Sequence, residues 1–148
     1  MDAAKLGLGV ITMAVLAVPT SAAPLPRHGI FVYSSLCTSA QSGDAEGHRL
    51  MLVRDGDGDR AFWEWSDGPL EGPVAVTRLR IWRGTIAFDA DIGSQDAVTS
   101  DGKFVKEAPS IEHYQGTITA DAVRVGGGQH REVWPRVTNF AAKTTTCR

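Results

Sequence analysis

Between residues 29 and 138, apolar and polar residues alternate in short runs, and glycine, aspartate or proline interrupts them every ten or so positions. A period of two marks strands with one face in a core. The pattern predicts strands near 29–34, 48–54, 60–66, 74–83, 85–91, 103–107, 111–119, 122–126 and 130–138. Outside the amino-terminal segment, no long stretch repeats apolar residues at helical spacing.

Two hairpins sharpen this reading. In VAVTRLRIWRGTIAFDAD, residues 74–91, a type II′ loop at Gly84-Thr85 would oppose Ile81 to Phe88 and Leu79 to Ala90. Its other face would set Trp82 against Ala87, Arg80 against Asp89 and Arg78 against Asp91. In LVRDGDGDRAFW, residues 52–63, a type I′ loop at Asp57-Gly58 would oppose Leu52 to Trp63, and beyond it Leu50 to Trp65. The expected fold is all-β: an antiparallel barrel or two-sheet sandwich of about eight strands.

The first residues belong to a different pattern. Lys5 precedes an apolar stretch from Leu6 to Val18, followed by the small residues Thr20-Ser21-Ala22. This is the layout of a signal peptide over residues 1–22, with cleavage before Ala23. The apolar run is short of the about 20 residues a membrane span needs. Residues 23–148 are then one all-β domain without a membrane span, and the location is periplasmic or secreted. In that compartment Cys37 and Cys147 are expected to form a disulfide.

Charge narrows the partners. The formal net charge is −2, a near-neutral balance that disfavours nucleic acid, since phosphate binding needs clustered cations. Asp55, Asp57 and Asp59 raise the question of calcium, but the loop fails the EF-hand pattern. Counting from Asp55, position 6 is Arg60 rather than glycine and position 12 is Ser66 rather than glutamate. A plain hairpin is expected, with a weak Ca2+ site as the alternative and no other cofactor.

His28, His48, His113 and His130 lack ligand spacing, and no nucleophile elbow, phosphate loop or zinc-protease signature is present. Trp63, Trp65, Trp82 and Glu64 are candidate ligand-binding residues: the three tryptophans could line an apolar cavity, and Trp63 and Trp65 with Glu64 and Asp67 could form a sugar-binding face, since tryptophan stacks on a sugar ring while a carboxylate accepts hydroxyl bonds. GGGQH, residues 126–130, reads as a loop. The polar connections 42–48 and 93–103 are candidate recognition loops.

These observations favour a non-enzymatic exported binding protein for a small apolar ligand or a protein partner of the envelope. The alternatives are an envelope-polymer hydrolase, an inhibitor of a cell-wall hydrolase, or a calcium-stabilised structural module.

Overall fold

A computed structural model describes residues 23–93, 96–98, 100–106, 110–127, 130–138 and 145–147. The expected signal peptide lies outside them. Among the described residues there is no helix, and hence none long and apolar enough to cross a membrane.

The first sheet is built from β1 (Gly29–Ser34), β2 (Cys37–Thr38), β3 (Ala45–Arg54), β4 (Asp59–Gly68) and β5 (Leu70–Ala75). The chain changes sheet at Val76, whose N–H still donates to Ala61 O at 3.0 Å. It enters the second sheet through β6 (Thr77–Trp82) and β7 (Thr85–Asp91). A small hairpin, β8 (Asp96–Val98) and β9 (Phe104–Lys106), interrupts before β10 (Ile111–Ile118), β11 (Ala122–Gly127) and β12 (His130–Pro135) complete that sheet. Finally β13 (Thr145–Thr146) returns to the first sheet, parallel to β2.

The result is a sandwich, not a closed barrel. Eleven strands form the two sheets rather than about eight. The second sheet runs β12-β11-β10-β7-β6. The predicted strand 74–83 is two strands in different sheets. Residues 45–48 extend β3 instead of forming a loop, and Gly126-Gly127 continue β11 opposite Arg131 and His130. Within 93–103 the chain forms the first strand of the β8–β9 hairpin.

The layer between the sheets is filled. Leu50, Leu52 and Trp63 from the first sheet meet Ile86, Phe88, Ile118, Val123 and Trp134 from the second, all essentially without exposure. Leu79 and Ile81 pack against the same core. Each large side chain removed from water contributes on the order of 2 kcal/mol. Tyr33, fully buried on β1, ties the layers by donating from its hydroxyl to Thr119 O at 2.8 Å, and burial pushes its pKa up to about 12. Cys37 and Cys147 are disulfide-bonded with their Cα atoms 5.0 Å apart, compatible with an oxidising compartment.

Both predicted hairpin registers are displaced. In β3–β4, Arg54 opposes Asp59, Leu52 opposes Ala61 and Leu50 opposes Trp63, so the loop is Asp55–Gly58. In β6–β7, Trp82 opposes Thr85 and Ile81 opposes Ile86. The two-residue loop is Arg83-Gly84, with φ of 47° and 78°, as a type I′ turn requires. Arg80 therefore opposes Ala87, not Asp89, and a bulge follows between Thr77 and Arg80.

Within that bulge Arg78 swings onto Asp89, which His113 of β10 also engages, Nδ1 to Oδ1 at 2.6 Å. The His113 hydrogen bond, then Arg78, hold Asp89 below the usual carboxylate range against the opposing effect of burial. A carboxylate with a depressed folded pKa stabilises above its unfolded value, 3.8, and that contribution is lost as pH falls through the folded value. Thermal melts from about pH 5 to about pH 2 should show an acid loss that is smaller in Asp89→Asn. Equal acid limbs in the two proteins would place the titrating group elsewhere.

Candidate functional site

Strand alternation decides where the candidate residues go. Trp63 and Trp65 project inward from β4, so Glu64 between them projects outward, where Arg49 holds it at 2.9 Å. Trp63 is 1% exposed and belongs to the core. Trp65 stacks on it with ring centroids 4.7 Å apart. Trp65 also lines an open trough of about 870 Å³, shared with Asp67, Glu71 and Asp91. Trp82 stands on the outer face of the second sheet, 68% exposed, with the Arg83 guanidinium 5.2 Å from its ring centroid. Glu64 therefore does not share a face with Trp63 and Trp65, and Trp82 lies apart from all three.

The aspartate loop is organised by arginines. Asp59 accepts from Arg54 Nε at 2.8 Å, and Arg60 engages Asp55, whose carboxyl that bond holds low. Asp55 Oδ1 also accepts from the Asp57 N–H at 3.1 Å, closing the turn. Among the described residues no three His, Cys, Asp or Glu side chains are grouped to hold a metal ion.

A different constellation sits where the second sheet splits. β10 pairs with β7 from Ile111 to Thr117, and β11 pairs with β12 throughout, but β10 and β11 pair only at Gly116–Ile118. Beyond Gly116 the two strands separate. A cleft of about 390 Å³ opens there, lined by His48, Glu112, Tyr114, Gln115 and Glu132 among others. Ligand sites are commonly about 300–1,000 Å³, with a few convergent polar groups over an aromatic or apolar lining.

His48 comes from the first sheet and lies at 5.5 Å between centroids from both Trp63 and Trp134. Its Nδ1 is 2.9 Å from Glu132 Oε2, which also accepts from Trp134 Nε1 at 2.8 Å. An ionised carboxylate only accepts, so the bond is a donation from His48 Nδ1–H. On β10 the Tyr114 hydroxyl donates to Glu112, while its ring stacks on Phe88 at 4.9 Å. Burial, then the Glu112 bond, push the Tyr114 phenol well above its ordinary range. The cleft thus offers two carboxylates, a protonated phenol, an amide and ring faces.

Sequence reasoning missed this group because His48 and Glu132 lie 84 residues apart and meet across the two sheets. A signal was present. His48 stands two residues before Leu50, and Glu132 two before Trp134, so each is a polar residue on a core-facing register position.

Comparisons with known proteins found no matching family model, no matching curated protein and no matching solved structure.

Proposed function

We propose that this chain is an exported, non-enzymatic binding protein that holds a small ligand in the cleft between β10 and β11. The observation that carries the reading is the opening of the second sheet directly over the His48–Glu132 and Tyr114–Glu112 pairs. The interior is packed with side chains, which favours a ligand seated at this opening over one enclosed in an apolar cavity. The lining suits a molecule with a ring or apolar face and a hydrogen-bond-donating end, such as an amine or a hydroxyl, turned towards Glu112 and Glu132.

Two features favour binding over catalysis. Among the described residues no serine, threonine or cysteine lines the cleft, and the Tyr114 phenol is held protonated, which makes it a poor nucleophile. The disulfide supports a periplasmic or secreted location. Native mass spectrometry of protein isolated from the envelope is expected to reveal a bound small molecule. Tyr114→Phe should weaken its retention about tenfold, the worth of one hydrogen bond. A ligand-free protein, or a variant that retains the ligand as well as the parent does, would remove this cleft as the site.

The histidine–carboxylate pair in a cleft supports a second reading, hydrolysis of an envelope polymer. Release of soluble fragments from envelope preparations, abolished in His48→Gln, would replace the binding reading with this one.

A further inference from the structure

The face of the second sheet turned away from the core can be read strand by strand. One row across it is Trp82–Thr85–Thr117–Arg124–Val133. The next row is Arg80–Ala87–Gln115, carried past the split by Gly126–Arg131. Threonine, alanine and glutamine therefore make a floor on β7 and β10. Trp82 and Arg80 stand on one bank, Arg124 and Arg131 on the other. With strands about 4.8 Å apart, β6 and β11 lie about 14 Å from each other. A groove of about 780 Å³ runs between the banks.

The groove carries three arginines and, among its described lining residues, one carboxylate, Glu132. Asp89 is taken by His113 and Arg78, and Glu132 accepts from His48 and Trp134. Among the described residues Arg80, Arg124 and Arg131 enter no ion pair, and all three are exposed. The displaced β6–β7 register produces this arrangement. Had Arg80 opposed Asp89, the groove would lose one of its cations to a neighbouring strand. Among its described residues, a protein of net charge −2 thus presents three arginines outside any ion pair on a single face.

We propose that this groove binds an acidic polysaccharide, one bearing carboxylates on its sugar rings. Three features select that partner, and none of them requires a ligand in the adjoining cleft, with which the groove shares Gln115. The planar guanidinium groups match carboxylates in a two-point geometry. Trp82 offers one broad apolar face, suited to the C–H face of a sugar ring. The Thr85, Thr117 and Gln115 side chains supply both donors and acceptors for ring hydroxyls. Single-stranded nucleic acid is the less suitable occupant, because such sites stack successive bases on several aromatic side chains and the described lining of this groove has one, Trp82.

The test uses the disulfide-intact protein and a hexamer of galacturonic acid, with maltohexaose as the neutral chain and a six-nucleotide single strand as the competitor. Calorimetry should show the uronate hexamer binding and maltohexaose binding at least tenfold more weakly. Raising salt should weaken the uronate complex, since exposed charge pairs are screened within about 8–10 Å at ordinary ionic strength. Trp82→Ala and the double variant Arg80→Gln/Arg124→Gln should each cost tenfold or more. Arg49→Gln, which removes one cation from the outer face of the first sheet, should leave binding unchanged. Circular dichroism and thiol counting confirm that each variant is folded and oxidised. The proposal is overturned if the neutral hexamer binds equally well, if Trp82→Ala has no effect, if Arg49→Gln weakens binding as much as the groove variants do, or if the oligonucleotide binds more tightly than the uronate.

Discussion

Replacing Gly116 with alanine is expected to destabilise the protein by about 3 kcal/mol or more. In an ordinary strand the sign would be the reverse, because glycine costs about 0.5–1 kcal/mol relative to alanine. At Gly116 space decides. A Cβ there would lie 1.9 Å from Arg124 O, 2.8 Å from Arg124 C and 2.9 Å from Val125 Cα. These are backbone atoms, so no side-chain rotation relieves the clash. Gly116 and Val125 form the last pair before β10 and β11 part, and only two further pairs hold these strands together. The alanine must push β11 outward and loosen that short contact. Urea denaturation of the oxidised variant measures the loss, and the same displacement should alter ligand retention in the neighbouring cleft. A variant as stable as the parent would mean that the two strands do not approach so closely.

Removal of the disulfide by Cys37→Ser with Cys147→Ser should cost roughly 4–5 kcal/mol by the chain-entropy account. The bridge spans a sequence separation of 110, so it restricts nearly the whole domain in its unfolded state. Among the described residues near the carboxyl end, β13 contributes two residues to the first sheet. The double serine variant, rather than a single one, avoids a stray thiol. Comparing urea midpoints of parent, reduced parent and variant measures the effect. Identical midpoints would show that the bridge closes no loop that matters to folding.

The faces of this fold were legible, and the registers were not. In both tight hairpins the true turn lies one residue earlier than the turn chemistry suggested. Such a move shifts the opposing partner by two, so every side chain keeps its face. Leu50, Leu52 and Trp63 stay inside, as do Ile81 and Phe88, while every pair changes. Alternation encodes which side a residue faces; partners depend on loop conformation. In β3–β4 the four-residue loop is stabilised by Arg54–Asp59 and Arg60–Asp55 pairs. In β6–β7, Arg83 adopts the positive φ more often given to asparagine or glycine. The sheet change at Val76 was hidden for a related reason. Val74 and Val76 both face the common core, so the alternation passes through the crossing without a break.

The candidate site divides the same way. That Glu64 could not share a face with Trp63 and Trp65 follows from period two alone. The meeting of His48 with Glu132 needed the packing of two sheets, and the unpaired state of Arg80 needed the register.

The short parallel strand at the carboxyl end has a consequence beyond the stability of one molecule. β13 covers the free flank of Cys37–Thr38, and the bond at Cys147 keeps it in place. Exposed backbone donors and acceptors at a sheet margin invite pairing with a second chain. Reduction removes the covalent tether that holds this small cover over Cys37–Thr38, so the oxidised bridge protects a sheet margin as well as the fold.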